Sequence, residues 1–184
     1  DHFMRSRRSI RAYKETPVEK ELIMEMLDTA RYAPTGSNSQ PTEWIAINDP
    51  EKVKELGQMV VDWLEECIES NHPLTEKLPM DGMVQAWKNG VDMIFRGAPA
   101  IVINHALDAG GSNVVNCAIA MTYLDLIAPT KNLGTCWAGF LMIAANNSPK
   151  IRKALKIPED NMFCSALMLG HPKFQYQRVP DRKE

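Results

Sequence analysis

Four arginines stand close together near the start of the 184-residue chain, where Arg5, Arg7, Arg8 and Arg11 surround Ser9. A guanidinium presents a planar fork of donors that matches the oxygens of a phosphate. The same run is also typical of a solvated basic face, or of a short patch that contacts nucleic acid or a membrane. By itself, the basic segment predicts an anion site with these alternatives open.

A polar loop follows about two dozen residues later, between Pro34 and Pro41. Its Thr, Gly, Ser, Asn and Gln residues offer backbone N–H groups and amides that could hydrogen-bond a polar heterocycle. An ordinary turn between a helix and a strand has the same composition. The loop could therefore be a binding loop for a heterocycle or an ordinary turn.

Glycines bracket a third segment, from Gly134 to Gly139, which predicts a strand that begins in close backbone packing. Cys136 lies in it, but no His or Asp is placed to activate this thiol, and a buried structural role is expected. In the tail, Arg178 and Arg182 either form a second phosphate clamp or belong to a charged terminus.

Apolar spacing and cap residues place these segments between helices and strands. The residues from Thr16 to Glu19 form a capping-box pattern that predicts a helix from Pro17 to about Ala33. We predict further strands over 44–47, 99–104 and 164–169, and further helices from Pro50, over 82–96, over 114–128 and from Ser148.

The segment from Val114 to Ala128 is apolar almost all round, which predicts a central buried helix. Pro129 should interrupt this helix, and Gly134 is suited to the left-handed conformation that ends it. Helices and short strands mix without regular βαβ alternation, so the pattern predicts one α+β domain over residues 1–184.

Composition narrows the class of protein. Apolar residues make up 45% and charged residues 24% of the chain, and the net charge is −2, which argues against a general nucleic-acid binder. No stretch reaches the roughly 18 apolar residues of a membrane span. The four cysteines form no C-x-x-C pair and the histidines have no ligand spacing, so we expect no metal site and a reduced, cytoplasmic setting.

Taken together, the motifs resemble the FMN-dependent nitroreductase family. They are Arg-Arg-Ser-Ile-Arg, Ala-Pro-Thr-Gly-Ser-Asn-Ser-Gln-Pro, Leu-Gly-Thr-Cys-Trp-Ala-Gly and Gly-His-Pro, in the family's order from about residue 5 to the tail. The resemblance implies an α/β sandwich in which helices flank a central, mostly antiparallel sheet. It also implies a homodimer whose C-terminal tails are swapped onto the partner.

The resemblance assigns the basic segment to FMN. Arg7, Arg8 and Ser9 match the residues that hold the phosphate and ribityl chain, and Arg11 matches the cation near N1 and O2 of the flavin. Arg178 is similar to the tail cation that returns to the phosphate, with Arg182 as a second candidate.

Two other segments gain roles from the same resemblance. Ala138 and Gly139 match the pair whose backbone approaches the flavin near N5 and O4. The loop that the partner subunit lays against the flavin is matched by Pro34, Thr35, Gly36 and Asn38. Thr42 and Asn132 depart from the common pattern, which has an aromatic residue and a Gly there. A flavin contact from residues 60–95 cannot be placed, so the physiological substrate stays undetermined.

The activity implied is electron transfer from NAD(P)H to nitroaromatic, quinone or similar small molecules by a ping-pong mechanism. The flavin N5 carries the chemistry, and no side chain is identified as a catalytic acid or base. Because the start at Asp1 and the tail are similar to relatives fused to a ferredoxin-like domain, a ferredoxin-type donor is an alternative.

Other functions stay open at this stage. Relatives that dehalogenate aromatics or fragment flavin share the motifs, and a non-catalytic flavin-binding module would share the binding residues. A nucleic-acid binder would rest on residues 5–14 alone, without the aromatic residues that such binding shows.

Overall fold

One antiparallel sheet forms the middle of the domain. The computed structural model describes residues 2–109 and 111–179. Within them the strands run in the order β1–β2–β4–β3, and every pairing is antiparallel. The strands are β1 (Glu43–Ile47), β2 (Ala100–Leu107), β3 (Gly134–Trp137) and β4 (Asn161–Gly170).

Helices cover both faces of the sheet. They are α1 (His2–Ser6), α2 (Lys20–Ala30), α3 (Pro50–Glu69), α4 (Met80–Lys88), α5 (Ser112–Ile127), α6 (Gly139–Asn147) and α7 (Pro149–Ala154). Short 3₁₀ turns occupy Gly36–Asn38, Pro73–Glu76 and Ala128–Lys131. No helix in the described ranges is both long and apolar enough to cross a membrane.

Alternate residues of β2 belong to two separate cores, because successive strand side chains point to opposite faces. Ile101 and Ile103 pack into the core that contains α3, α4, α6 and α7. Ala100 and Val102 pack into the core that contains α2 and α5. This arrangement confirms the predicted α+β sandwich with a central antiparallel sheet.

Helix α3 forms as its sequence predicts. Asp49 accepts a hydrogen bond from the Glu51 N–H at 3.1 Å, and Pro50 occupies the first helical position. Its apolar residues at helical spacing form a buried stripe, from Val53 to Leu64 and on to Cys67. Each fully buried aliphatic side chain of this stripe contributes about 1.5–3 kcal/mol.

Helix α2 is shorter than predicted at both ends. It begins at Lys20, not Pro17, and Glu19 precedes it without a side-chain cap. Val18 is buried against α2 and α5, and its carbonyl accepts a 2.7 Å hydrogen bond from Asn48, which favours an extended backbone there. The helix ends at Ala30, and Ala33 lies in a tight turn beyond it.

The predicted helix over 82–96 is wrong in its second half, since α4 ends at Lys88. Gly90 takes a φ of +78°, which ends the helix. The Asp92 carboxylate then accepts hydrogen bonds from the N–H groups of Ile94, Phe95 and Gly97. This carboxylate stabilises a loop where apolar spacing alone suggested helix.

Two expectations about α5 are also corrected. The helix is not buried all round, because Val114, Val115 and Tyr123 are exposed on one face. Pro129 does interrupt it, but the left-handed residue is Asn132 (φ 56°), and not Gly134. Asn tolerates this conformation better than most residues with a side chain, so Gly134 is available for another purpose.

Candidate functional site

The basic segment is held along the free edge of β3. Ser9 forms an isolated parallel bridge with Thr135, and the Ile10 N–H donates to the Thr135 carbonyl at 2.8 Å. Further along, the Lys14 N–H donates to the His171 carbonyl at 2.8 Å. These backbone contacts fix the direction in which the arginine side chains leave the segment.

Gly134 is the residue that allows this docking. A Cβ built on Gly134 would lie 2.5 Å from Cγ1 and 2.8 Å from Cβ of Ile10. Real Cβ atoms do not approach neighbouring atoms so closely, and Ile10 has little freedom to move because its own backbone is bonded to β3. The glycine in the Leu-Gly-Thr motif is therefore required for the approach of the basic segment.

Tyr13 closes the end of the same segment. Its hydroxyl donates to the Ile10 carbonyl at 2.6 Å, and Gly170 leaves room for its ring, since a Cβ there would lie 2.8 Å from Cδ1 of Tyr13. Burial raises the pKa of Tyr13, with the nearby Cys136 as a second cause, so the hydroxyl stays protonated. The segment is thus bonded within itself as well as to the sheet.

Arg7 turns towards the central helix. Its Nη1 lies 3.4 Å from Oδ2 of Asp125, which is 4% exposed on α5, and the Thr135 hydroxyl donates to the other carboxylate oxygen. A buried carboxylate is stable only when it is paired and hydrogen-bonded. Asp125 therefore connects α5, β3 and the basic segment.

Arg8 is the most informative residue of the segment. Its Nη1 donates to the carbonyls of Arg5 (3.0 Å) and Arg7 (2.8 Å). Its Nε and Nη2 are buried and have no hydrogen-bond partner among the described residues. A buried guanidinium nitrogen without a partner costs about 1–3 kcal/mol or more, so these two nitrogens are suited to an acceptor that a ligand supplies.

These two nitrogens belong to a residue that lines a cavity of about 640 Å³. Lys14 and Arg178 line the same cavity, together with the His171 ring and residues 174–179 of the tail. The described residues around it include no aspartate or glutamate. Three cationic side chains without a carboxylate favour an anionic ligand. Arg182 lies outside the described residues.

A second cavity of about 330 Å³ adjoins the first, because both are lined by Ile10 and Tyr176. Arg11 lines this cavity together with Phe174 and Tyr176. Tyr176 also carries the Arg8 guanidinium 6.0 Å from its ring centre. Aromatic rings and a cation in one cavity suit a planar, partly anionic ring system.

The predicted loop lies elsewhere on the same chain. The Gly36 N–H donates to Oδ1 of Asn116 at 3.1 Å, so the loop contacts the first half of α5. Asn116 and Asp125 are nine residues apart on this helix, about 13 Å along its axis. One chain therefore does not bring Pro34, Thr35, Gly36 and Asn38 to the basic segment.

Ala138 and Gly139, the third group of predicted site residues, lie at the start of α6. Ala138 is buried and its N–H donates to the Ala166 carbonyl at 2.9 Å, whereas Gly139 is exposed with open space at its Cα. No side chain in the described part of the chain caps this helix, so the N–H groups of its first turn are available to a ligand. The backbone here is accessible where most residues would place a Cβ.

Comparison with known proteins identifies the family. The family model described as "Nitroreductase family" matches residues 4–171, which is most of the chain. The chain belongs to the nitroreductase family. This membership confirms the resemblance carried by the four motifs.

Proteins similar to this chain have names that state different activities. The chain is 23% identical over 182 residues to an FMN reductase (NAD(P)H) of Bacillus subtilis, covering 94% of this chain and 66% of that protein. It is 22% identical over 188 residues to the 5,6-dimethylbenzimidazole synthase of Rhodospirillum rubrum, covering 96% and 83%. Sequence similarity alone therefore does not select an acceptor.

The fold is shared with solved nitroreductases. A nitroreductase with bound FMN from Desulfitobacterium hafniense superposes with a TM-score of 0.77 at 22% identity, covering 97% of this chain and 92% of the other. This similarity supports the sheet order and flanking helices described above.

Sequence reasoning missed Asp125 and Asn116, both of which connect predicted site segments of this nitroreductase to α5. A signal was available for each. Acidic residues and amides rarely stand in an otherwise apolar buried helix unless they have partners. The tail rings of Phe174 and Tyr176 had no such signal, because nothing in their sequence pattern indicates what they face.

Proposed function

We propose that this chain is an FMN-dependent oxidoreductase that works as a homodimer. It takes two electrons from NAD(P)H and passes them to a small aromatic or quinone-like acceptor. FMN-bound structures of relatives and an FMN reductase among the similar proteins support this reading. The observation that carries it is Arg8. Two of its guanidinium nitrogens are buried without a partner among the described residues, and Arg8 lines a cavity that has no described carboxylate.

The residues present fit FMN. Arg8, with Lys14 and Arg178, supplies the positive charge that a phosphate requires, and the Arg fork can bind two phosphate oxygens at once. Ser9 is held by its bridge to Thr135 and lies in the sequence between Arg8 and Arg11. A ribityl chain that joins the phosphate to the ring would pass this residue. Arg7 has a different part in the structure, since its pairing with Asp125 fixes the segment to α5.

FMN, when bound, supplies two-electron redox chemistry at its N5 position. Arg11 would place a permanent positive charge beside the ring system, where it stabilises negative charge. The first-turn N–H groups of α6, beginning at Gly139, would donate to the edge of the ring. Phe174 and Tyr176 line the same cavity as Arg11 and would offer apolar surface to the ring.

A second copy of the chain completes the site in this proposal. The loop residues Pro34, Thr35, Gly36 and Asn38 contact α5 well away from the basic segment of their own chain. Helix α5 also exposes an apolar face that includes Val114, Val115 and Tyr123. Pairing two such faces would bury them and would present the loop of one protomer to the basic segment of the other.

Donor and acceptor would use one site in turn, which predicts ping-pong kinetics. The decisive assay is steady-state turnover of the FMN-loaded protein with NADH or NADPH and a quinone or nitroaromatic acceptor. Double-reciprocal plots of initial rate against acceptor concentration, taken at several donor concentrations, should give parallel lines, which would support the proposal. Tight FMN binding without turnover by either nicotinamide donor would instead indicate a ferredoxin-type donor or a non-catalytic flavin module.

The cofactor site is tested by titrating FMN into the Arg8→Ala variant and following the quenching of flavin fluorescence. Losing a charge-assisted fork costs about 1.5–3 kcal/mol, so the Kd should rise about 10- to 150-fold. Arg31→Ala is the matched control, because Arg31 is exposed and its partner is Asp28. Equal affinity in the wild type and Arg8→Ala would overturn the assignment.

A further inference from the structure

Two cysteines from separate elements meet beside the sheet. Cys117 lies on α5 and Cys164 on β4, and with Ala106 they form a small buried cluster against which Met162 packs. Cys117 is completely buried, and Cys164 is 8% exposed. None of the functions proposed above uses either thiol.

A β-bulge aims Cys164 at the helix. Asn104 pairs with Ser165 and His105 pairs with Phe163, so Cys164 is the extra residue of β4 at this point. Bulges of this kind re-aim a side chain and are often found beside functional sites. Here the bulge places the Cys164 thiol against the buried face of α5.

Asn104, beside the bulge, hydrogen-bonds to both α5 and β4. It is 0% exposed; its Nδ2 donates to the Cys117 carbonyl at 2.8 Å, and its Oδ1 accepts from the Ser165 hydroxyl at 2.6 Å. The residue next to the bulge thus holds the backbone of Cys117. The separation of the two thiols is fixed by a polar clamp as well as by apolar packing.

The two thiols are chemically unequal. The neighbouring Cys164 thiol lowers the pKa of Cys117; burial opposes this shift, and the Thr42 hydroxyl, 3.6 Å from its sulfur, adds to it. The neighbouring Cys117 and burial raise the pKa of Cys164, whose thiol donates to the Met162 carbonyl at 3.5 Å. Cys117 is therefore the first to ionise, and the thiolate is the form that reacts with oxidants.

Cys117 is covered by the segment that follows the 34–41 loop. Thr42 contacts its sulfur, and Asn116, its neighbour on α5, holds the Gly36 N–H. In the loop Ser37, Asn38 and Gln40 all have φ near +50°, which is unfavourable for residues with a side chain. Local opening of the loop and of Thr42 beside it would expose Cys117.

We propose that Cys117 and Cys164 form a peroxide-reactive dithiol, whose oxidation to an intramolecular disulfide loosens the 34–41 loop. The Cys117 thiolate attacks one oxygen of hydrogen peroxide, the O–O bond breaks, and hydroxide leaves to give a sulfenic acid. The Cys164 sulfur then attacks the Cys117 sulfur and loses its proton, and water leaves. The sum is two thiols and one peroxide giving one disulfide and two waters.

Formation of the S–S bond would remove the Cys117 sulfur from Thr42 and shift the helix position next to Asn116. Both contacts hold the loop, so the oxidised protein should hold it less firmly. The covalent step does not depend on FMN, whereas an effect of the loop on flavin rests on the proposed function.

The test is peptide mapping of the protein after exposure to hydrogen peroxide and alkylation in denaturant. Trypsin leaves the four cysteines on four separate peptides, with Cys117 on 97–131 and Cys164 on 157–173. We expect two of the four thiols to be lost to alkylation and these two peptides to be joined by a reducible bond. Reactive Cys67 or Cys136, linkage between chains, or four intact thiols would overturn the proposal.

Variants sharpen the result. The Cys67→Ala/Cys136→Ala double variant keeps the dithiol and should lose both of its thiols to peroxide, while Cys117→Ala should leave Cys164 reduced. The wild-type map still decides the matter if the double variant does not fold. Hydrogen exchange of residues 34–42 should rise in the oxidised wild type and not in peroxide-treated Cys117→Ala. A linked pair with unchanged exchange would refute the effect on the loop.

Discussion

The Arg7 guanidinium lies 3.4 Å from the Asp125 carboxylate, so a basic segment at the start of the chain is paired with an acid buried in the central helix. Asp125 is also bonded to Thr135 of β3, the strand along which the same segment runs. One carboxylate thus connects the helix, the sheet edge and the segment that we propose holds the phosphate of FMN.

Replacing this carboxylate should destabilise the protein. Asp125→Asn keeps the shape but removes the charge that Arg7 faces, and we expect the free energy of unfolding to fall by about 1–3 kcal/mol. Urea denaturation measures the change. Asp28→Asn is the matched control, because Asp28 also lies 3.4 Å from its arginine but both side chains are about two-thirds exposed. The control should change by no more than about 0.5 kcal/mol, and equal losses in both variants would contradict the role of burial.

Gly134→Ala should displace the basic segment. The added Cβ would meet Ile10 at 2.5 Å, and the strain should cost about 1–3 kcal/mol and weaken FMN binding. Gly82→Ala is the control, since Gly82 lies within α4 with nothing near its Cα, and this change should stabilise by about 0.4–1 kcal/mol. Thermal unfolding and FMN titration of both variants give the comparison. A stable Gly134→Ala protein with native affinity would show that the segment adapts.

Val115→Glu should break the proposed homodimer. Val115 is 59% exposed on the apolar face of α5, and a buried unpaired charge at an interface between two copies is costly. Light scattering after gel filtration should show a dimer for the wild type and a monomer for the variant. Val91→Glu controls for the added charge, because Val91 is 54% exposed on a loop after α4. A dimeric Val115→Glu protein would exclude this face.

Stability should fall at mildly acidic pH through His105. Burial lowers the pKa of His105 below its ordinary value of 6.5; Glu43 opposes the shift and Arg152 adds to it. Its Nδ1 contacts the Asn161 amide at 2.8 Å, which suits a neutral ring that accepts. Because the unfolded chain binds the proton more tightly, this contribution is complete above pH 6.5 and is lost as the pH falls below it.

Urea denaturation between pH 7.5 and pH 5 checks this dependence. The His105→Gln variant keeps a polar side chain that does not titrate, so it should lose less stability than the wild type over the same interval. A variant with the same decline as the wild type would assign the acid sensitivity to other groups.

Local sequence determined the parts of this protein whose causes are local. Asp49 and Pro50 start α3 at the predicted position, the apolar stripe of that helix is buried, and the predicted strands over 44–47 and 164–169 are present. Caps, helical spacing and β-rich apolar runs act within a few residues, so they can be read without the fold. The order of the four motifs likewise indicated the family, which the match over residues 4–171 confirms.

Tertiary structure decided whatever depends on residues distant in the chain. The buried Val18 and its bond from Asn48 shorten α2, and the close approach of Ile10 gives Gly134 a packing role in place of the predicted turn. The fold alone pairs Arg7 with Asp125, separates the 34–41 loop from the basic segment, and joins Cys117 to the bulge at Cys164. Each relationship spans dozens of residues, and its energy comes from burial and pairing, which do not exist until the sheet and helices have assembled.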